Sequence, residues 1–370
     1  MEKVQDFSKL LRHPQFLKRS DKHNLTDLPP IHVRLEPTET CNLRCNFCNF
    51  HNPDRQRDSG IVPDMANRSI DLRRLETLIH ELKQLGTLAV SLTGAGDPLM
   101  HPEVEAMLQI LVDSKLDIGV TSNLAMNLSD RTIDLLSHVK WIRWSQNAGD
   151  DRSFEIIHLP KARAHSFERA KLNAQRIGNH IEFKNTATYF SSSVVLNDLS
   201  LNQIERTIMV ASAAKCESIQ FRPDMIVTRG RPTYYQHKSF DQIAIDVTEQ
   251  FKERIKIDFN IERTNESDDD IPHEILCRYS NASTYIDPLF NVYPCCYTRP
   301  LGAKFILGNV KDQPFSDFWQ TNARKDYYRK LSMRDCPSCP HYQENLILSE
   351  NFDAKAPLSP ESDQPHINFV

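Results

Sequence analysis

From Ile31 to Glu262, short apolar segments alternate with longer stretches whose apolar residues recur every three or four positions. That alternation constrains the fold more than any other feature of the chain. The segments IHVRLEPT, TLAVSLTG, LDIGVTSN, KWIRWSQN, HIEFKNTATYF and SIQFRPDM read as strands. The stretches between them, beginning at Ile70, His101, Ser129, Arg163 and Leu199, read as helices, several opened by a serine, aspartate or proline signal. A further helix, FDQIAIDVTEQFKERI, leads into KIDFNIE at Lys256. Strands that alternate with helices lie parallel, so the economical α/β architecture is a sheet curled into part of a barrel. About six repeats are present, short of the eight of a closed barrel, which predicts a partial (β/α)6 TIM-like barrel.

In such a fold the loops after the strands hold the chemistry. The cysteine run CNLRCNFCNF (Cys41–Phe50), TGAGDP, TSN, SQN, NTATY and RPDM are therefore expected at one mouth. Residues 1–30 form a polar leader closed by Pro29-Pro30, and 31–262 the barrel. The hydrophilic RTNESDDDIP (263–272) reads as a linker, 273–345 as a small α+β region, and 346–370 as a proline-marked tail. Within the small region STYIDPLFNVYPCC reads as a hairpin around Asp287-Pro288, and FSDFWQTNARKDYYRKL as a helix.

Composition narrows the partners. Lysine and arginine total 45 against 49 acidic residues, a formal charge of -4 that gives no global reason for binding nucleic acid or an anionic membrane. The N-terminal MEKVQDFSKLLRHPQF lacks the apolar run of a secretory signal, and no segment approaches the roughly 20 apolar residues of a membrane span. A cytoplasmic protein is expected. Nine cysteines, most in tight groups, favour metal coordination in a reducing compartment over a disulfide framework.

Cys41, Cys45 and Cys48 follow the first strand closely enough for three thiolates to converge on one centre. A structural zinc site normally has four protein ligands. Three thiolates can hold three irons of a 4Fe-4S cluster and leave the fourth open; zinc closed by His51 is the competing reading. The run, with Phe47 before its last cysteine, resembles the hallmark of the radical S-adenosylmethionine enzymes. The resemblance implies a cluster whose open iron binds S-adenosylmethionine and reduces it to a 5'-deoxyadenosyl radical.

TGAGDP is similar to that family's glycine-rich turn for the cofactor's amine. Gly94 and Gly96 permit close backbone approach, and Asp97 is suited to orient donors or compensate a cationic amine. Ala95 between the glycines and the shorter acid depart from the family pattern. Ser122 and Asn123, and Ser145 and Asn147, are expected to bind ribose or carboxylate, or to cap turns. Arg222 pairs either with a cofactor or substrate anion or with a rim acid. Cys216, between a helix and the next strand, reads as an inert buried thiol.

Cys277, Cys295-Cys296, Cys336 and Cys339 form a second group, from which four thiolates make a closed zinc site or a fully protein-ligated iron-sulfur cluster. The stretch resembles the SPASM/twitch-type extensions of the same superfamily, in particular the dehydrogenases acting on 2-deoxy-scyllo-inosamine. By that resemblance Cys277, Cys295, Cys336 and Cys339 hold one auxiliary cluster. Side chains of adjacent strand residues face opposite ways, so Cys296 is left as a packed thiol, or a hydrogen donor if the enzyme is an epimerase. The resemblance thus implies two 4Fe-4S clusters, S-adenosylmethionine, and a one-electron donor such as flavodoxin or ferredoxin. The expected reaction is oxidation of an alcohol on a sugar or aminocyclitol. Peptide modification or epimerisation is the alternative, and a noncatalytic metal-stabilised module the competing class.

Overall fold

The computed structural model describes residues 24–224, 238–259 and 276–332, together with Lys9, His13, Asp335, Cys336, Cys339, His341, Asn345, Asn368 and Phe369. The 263–272 stretch lies outside the described residues, as do most of residues 1–23 and of the tail. One sheet of ten strands organises the described chain. Its strands are β1 (His32–Leu35), β2 (Ala89–Leu92), β3 (Asp117–Ser122), β4 (Trp141–Ser145), β5 (Tyr189–Leu196), β6 (Ser218–Pro223), β7 (Lys256–Phe259), β8 (Ser283–Ile286), β9 (Asn291–Tyr293) and β10 (Gly308–Asn309). β1 to β7 run parallel in chain order, so KIDF adds a seventh parallel strand to the six expected. On its other edge β1 pairs with β8, again parallel, with His32 opposite Ser283 and Leu35 opposite Ile286. The hairpin around Asp287-Pro288 is present as β8 and β9, antiparallel, and β10 continues it.

The helices are α1 (Pro53–Ser59), α2 (Leu72–Leu85), α3 (Val104–Asp113), α4 (Asp130–Leu136), α5 (Asp151–His158), α6 (Phe167–Lys184), α7 (Ile204–Ala213), α8 (Lys238–Phe251), α9 (Tyr279–Ala282), α10 (Phe315–Trp319) and α11 (Asn322–Lys330). Their apolar stripes pack on one face of the sheet. Val33, Leu35, Val90, Leu92, Ile118, Val120, Ile142 and Trp144 share a continuous core with Leu75, Leu78, Leu82, Met107 and Leu111. Because strand side chains alternate, the intervening residues face the other way, into the curl. That inner face is polar: Arg34 and Glu36 follow from β1, Ser91 from β2, Thr121 from β3, Arg143 and Ser145 from β4, Ser193 from β5, and Gln220 and Arg222 from β6. At the amino-terminal end of the strands Phe369 meets the rings of His32 and Trp141 edge-on, and Asn368 donates to Asp117.

Three expectations fail locally. HIEFKNTATYF does not begin a strand at His180: α6 runs on to Lys184 and ends at Asn185, whose left-handed φ of 50° makes it the cap. Gly178, which reads as a helix end, lies inside α6, where a Cβ would stand 2.1 Å from the Ala214 carbonyl oxygen. The glycine is there for close packing. NTATY consequently leads into β5 and sits at the end of the barrel opposite the mouth; the loop after β5 begins at Asn197. Finally, FSDFWQTNARKDYYRKL is two helices, because Thr321 restarts the chain by accepting from the Arg324 amide. Among the described residues no helix is long and apolar enough to cross a membrane.

Candidate active site and metal centres

The loop after β1 is held from three sides. Within it the Cys48 amide donates to the Cys45 carbonyl, and the Asn52 side chain caps α1 while donating to the Arg44 and Cys45 carbonyls. On one flank the Arg44 and Asn46 amides donate to the last carbonyls of α5, those of His158 and Ile157. Across the mouth Arg55 of α1 forms an ion pair with Asp224, just past β6. Cys41, Cys45 and Cys48 are thereby brought together. Burial pushes the Cys41 thiol up to about 12, with the Asp97 carboxylate adding to it. Cys45 is pushed up by burial and by Cys48 and Cys41, and Cys48 by burial. Buried sulfurs that repel one another's ionisation require a cation to hold them as thiolates.

His158, which the sequence does not single out, sits against this loop. Its Nε2–H donates to the Gln146 carbonyl at 2.9 Å, which leaves Nδ1 as the acceptor facing Cys45 Sγ at 3.0 Å. Burial holds its pKa down to about 4. The one local signal is its place on the buried face of an amphipathic helix, shared by many inert histidines.

The loops after β2 and β3 are stapled together by Asp97. Its Oδ1 accepts from the Leu99 amide and Ser122 Oγ, and its Oδ2 from the Asn123 amide at 2.7 Å. Burial raises the carboxyl to about 6 against those hydrogen bonds. The contacts of Asp97 are thus to its own chain. The glycines behave alike: a Cβ on Gly96 would stand 2.4 Å from the carbonyl oxygens of Thr38 and Thr40, and one on Gly94 would stand 2.5 Å from Glu36 Cγ. The close backbone approach they permit is to the β1 loop. Asn123 donates to Asn42, beside Cys41, so TGAGDP, TSN and the cysteine run form one hydrogen-bonded unit. After β4, Asn147 takes a left-handed φ of 52°, accepts from the Val195 amide and donates to the Ser145 carbonyl. Arg222 is half-buried on β6, opposite Val195 in register.

The second thiol group assembles from distant segments. Burial raises Cys295, and Cys296, Cys336 and Cys277 add to it. Cys339 is raised by burial and by Cys277, Cys336 and Cys295, and Cys336 is pushed up to about 12 by burial and Cys277. Asn345 accepts from the Arg278 and Tyr279 amides and donates toward Cys339 Sγ. Cys295 and Cys296 lie past the end of β9, in a turn, so strand alternation does not explain their divergence. Of the two, Cys296 is the one hydrogen-bonded by Arg34 on the inner face of β1, which donates to Cys296 Sγ at 3.0 Å and to the Tyr279 hydroxyl at 2.7 Å. Cys216 is buried in the main core, just ahead of the amino-terminal end of β6.

Between the two groups lies a buried charge network. Arg299 pairs with Glu36 at 3.2 Å and Glu39 at 3.0 Å; Tyr285 donates to Glu36, and Arg68 pairs with Glu39. Burial pushes the Glu36 carboxyl up to about 7 despite Arg299.

Three thiols on one loop, and a second group of Cys277, Cys295, Cys296, Cys336 and Cys339 drawn from separate segments, supply enough donors for one open and one closed 4Fe-4S cluster. Among the described residues no three His, Cys, Asp or Glu side chains converge as ligands of a single ion do. In a cluster each thiolate takes a different iron, so its ligands stand further apart. The comparisons with known proteins agree with the donor count. Residues 35–211 match the model of the radical SAM superfamily, and residues 277–340 that of the SPASM iron-sulfur cluster-binding domain.

The chain is a radical SAM protein with a SPASM domain. The two domains imply 4Fe-4S clusters and S-adenosylmethionine as its cofactors. The radical SAM protein is 25% identical over 154 residues to molybdenum cofactor biosynthesis protein 1 of Dictyostelium discoideum, which spans 37% of this chain but 23% of that one. It is 21% identical over 351 residues to the antilisterial bacteriocin subtilosin biosynthesis protein AlbA of Bacillus subtilis, covering 90% of this chain and 70% of AlbA. Among solved structures, Streptococcus suis SuiB bound to S-adenosylmethionine superposes with a TM-score of 0.61 at 15% identity, over 84% of this chain and 70% of that one. At that identity the likeness is one of fold.

Proposed function

We propose that this radical SAM protein catalyses the two-electron oxidation of an alcohol on a small nonpeptide metabolite. Cys41, Cys45 and Cys48 hold the cluster with an open iron, and Cys277, Cys295, Cys336 and Cys339 hold a closed auxiliary cluster. When bound, the open cluster supplies one electron to the sulfonium of S-adenosylmethionine, and the resulting 5'-deoxyadenosyl radical takes hydrogen from a substrate carbon. The chain's own residues do the rest. Asp97 holds the β2 and β3 loops in register as a positioning residue, and Gly94 and Gly96 let that unit lie against the β1 loop. Ser122 and Asn123 complete this wall, and Ser145 and Asn147 face the cofactor from β4. Arg222, at the mouth, pairs with an anionic group of cofactor or substrate. Domain boundaries follow the same reading: 31–262 for the barrel and 273–345 for the auxiliary domain.

The observation that carries the reading is the pairing of β8 with β1, which sets the second thiol group against the strand that leads into the first. A closed cluster held by Cys277, Cys295, Cys336 and Cys339 would supply an acceptor for the second electron of an oxidation, with the alcohol proton going to solvent or a nearby base. The polar inner face, with Thr121, Arg143, Ser145, Ser193 and Gln220, suits a hydroxyl-rich substrate. Peptide modification is the second reading, supported by the match to AlbA over 90% of the chain. Mass analysis of cell extract incubated with reduced enzyme and cofactor separates the two. A metabolite lighter by about two hydrogens, with label carried from its carbon into 5'-deoxyadenosine, supports oxidation; a mass change confined to a peptide rejects it in favour of the second reading. An unchanged mass in light water with solvent deuterium incorporated in heavy water means epimerisation.

A further inference from the structure

Cys295-Cys296 is met from the barrel side by Arg34. The guanidinium reaches from the inner face of β1, donates to Cys296 Sγ and the Tyr279 hydroxyl, and stands 5.8 Å from the centre of the Tyr279 ring. Tyr279 is itself fixed. Its ring stacks on His341 at 3.6 Å, and its amide donates to Asn345, which reaches Cys339. The cation is thus held in place by residues that lie close to Cys277 and Cys339 in sequence. Arg34 and the sulfurs of both Cys296 and Cys295 favour one another's charged forms. Other charges stand nearby. Arg278 follows Cys277 in the chain, Lys304 favours the ionisation of Cys336, and Asp335 opposes that of Cys277 and Cys336. Lys304 and Asp335 are exposed, so water and salt screen them; Arg34 is half-buried and bonded to a sulfur, which leaves its field less screened. The first thiol group differs, because Asp97 opposes the ionisation of Cys41 and Cys45 while Lys161 and Arg55 favour that of Cys48.

A cluster held by four thiolates is anionic, and an added electron makes it more so. A cation fixed against its ligands, partly out of water, lowers the cost of that electron and raises the reduction potential. We propose that Arg34 raises the reduction potential of the auxiliary cluster and so makes it the acceptor for an electron arriving from the barrel. The inference rests on the reading of the second thiol group as cluster ligands, and its sign is the same whichever of Cys295 and Cys296 is bound. In that step the cluster gains one electron. The substrate radical, already short of one hydrogen atom, loses one electron, and its hydroxyl proton goes to solvent. Arg34 transfers neither; it is a positioning residue whose charge favours the reduced cluster.

The test is an anaerobic redox titration of the full reconstituted chain carrying Cys41→Ala, Cys45→Ala and Cys48→Ala, so that electron paramagnetic resonance reads the auxiliary cluster alone. Arg34→Gln keeps an N–H donor and removes the charge. In that background it should lower the midpoint potential by at least about 59 mV, the equivalent of a tenfold change in the one-electron equilibrium constant. Arg34→Lys, which keeps the charge, should recover most of that fall. Iron content should stay at the level of the background. A midpoint in Arg34→Gln equal to that with Arg34, or an equal fall in Arg34→Lys, overturns the proposal. Loss of iron in Arg34→Gln overturns it too, because Arg34 then holds the cluster together rather than tuning it. A background chain that binds no iron although Arg34 is present overturns the underlying cluster reading instead.

Discussion

The two thiol groups differ in how the chain brings them together. Cys41, Cys45 and Cys48 lie within eight residues on one loop, pinned by its own backbone and by α5. Cys277, Cys295, Cys336 and Cys339 are drawn from separate segments, and their place is fixed by a hairpin laid along β1 and by Asn345. The first group is contiguous in sequence, with α5 packed against its loop; the second is brought together only when tertiary structure forms. On the proposed assignment the first cluster would depend on its loop, and the second on the pairing of β8 with β1.

The largest effect that tests this contrast is on iron and turnover. Replacing Cys41, Cys45 and Cys48 together by alanine should lower iron from about eight to about four per chain. It should also abolish 5'-deoxyadenosine formation. Replacing Cys277 or Cys339 should lower iron similarly yet leave reductive cofactor cleavage measurable. Iron and sulfide analysis beside chromatography of the nucleoside reads both. Retention of all iron in the triple variant would break the assignment.

The adjacent pair sharpens it next. Cys295→Ser should lose the auxiliary cluster's electron paramagnetic resonance signal, whereas Cys296→Ser should keep it and disturb only the Arg34 contact. The reverse pattern would exchange the two roles.

A smaller effect tests the join between the regions. Arg299→Ala leaves Glu36 and Glu39 facing one another without their shared cation and should destabilise the folded protein by about 3–5 kcal/mol. Urea unfolding under anaerobic conditions measures it, and a loss under about 1 kcal/mol would mean that the network is solvated.

The smallest concerns pH. The Glu36 carboxyl is raised from 4.5 to about 7 in the fold, so the folded state holds a proton that the unfolded state has released. Its contribution is most favourable below about pH 4.5 and is lost as pH rises to about 7. Relative to Glu36→Gln, the wild type should lose up to about 3 kcal/mol across that window. Parallel pH profiles of the two proteins would contradict this.

Much of the fold was legible because it is written in local periodicity: β1 to β4 and β6 fall within the apolar segments read from the sequence, and the Asp287-Pro288 hairpin within its own. The misplaced start of β5 shows the limit. A glycine inside α6 looks like a helix end until the Ala214 carbonyl that excludes a Cβ is known. The cysteine positions were visible, but their neighbours were not. His158 lies 113 residues from Cys45, and Arg34 lies 262 from Cys296. No sequence pattern pairs residues so far apart, and the place of Asp97 in a glycine-containing turn said nothing of Ser122 as its partner.

The parallel pairing of β1 with β8 has a consequence for how the protein is made. β1 leaves the ribosome well before β8, and β2 can cover one of its edges soon afterwards. The other edge waits for Ser283–Ile286, some 250 residues later in synthesis. Until then a strand that carries the cysteine loop presents a bare row of amides and carbonyls to solvent, the kind of edge that recruits other strands. A nascent chain of this design is most vulnerable during the interval in which Cys41, Cys45 and Cys48 are already made and β8 is not.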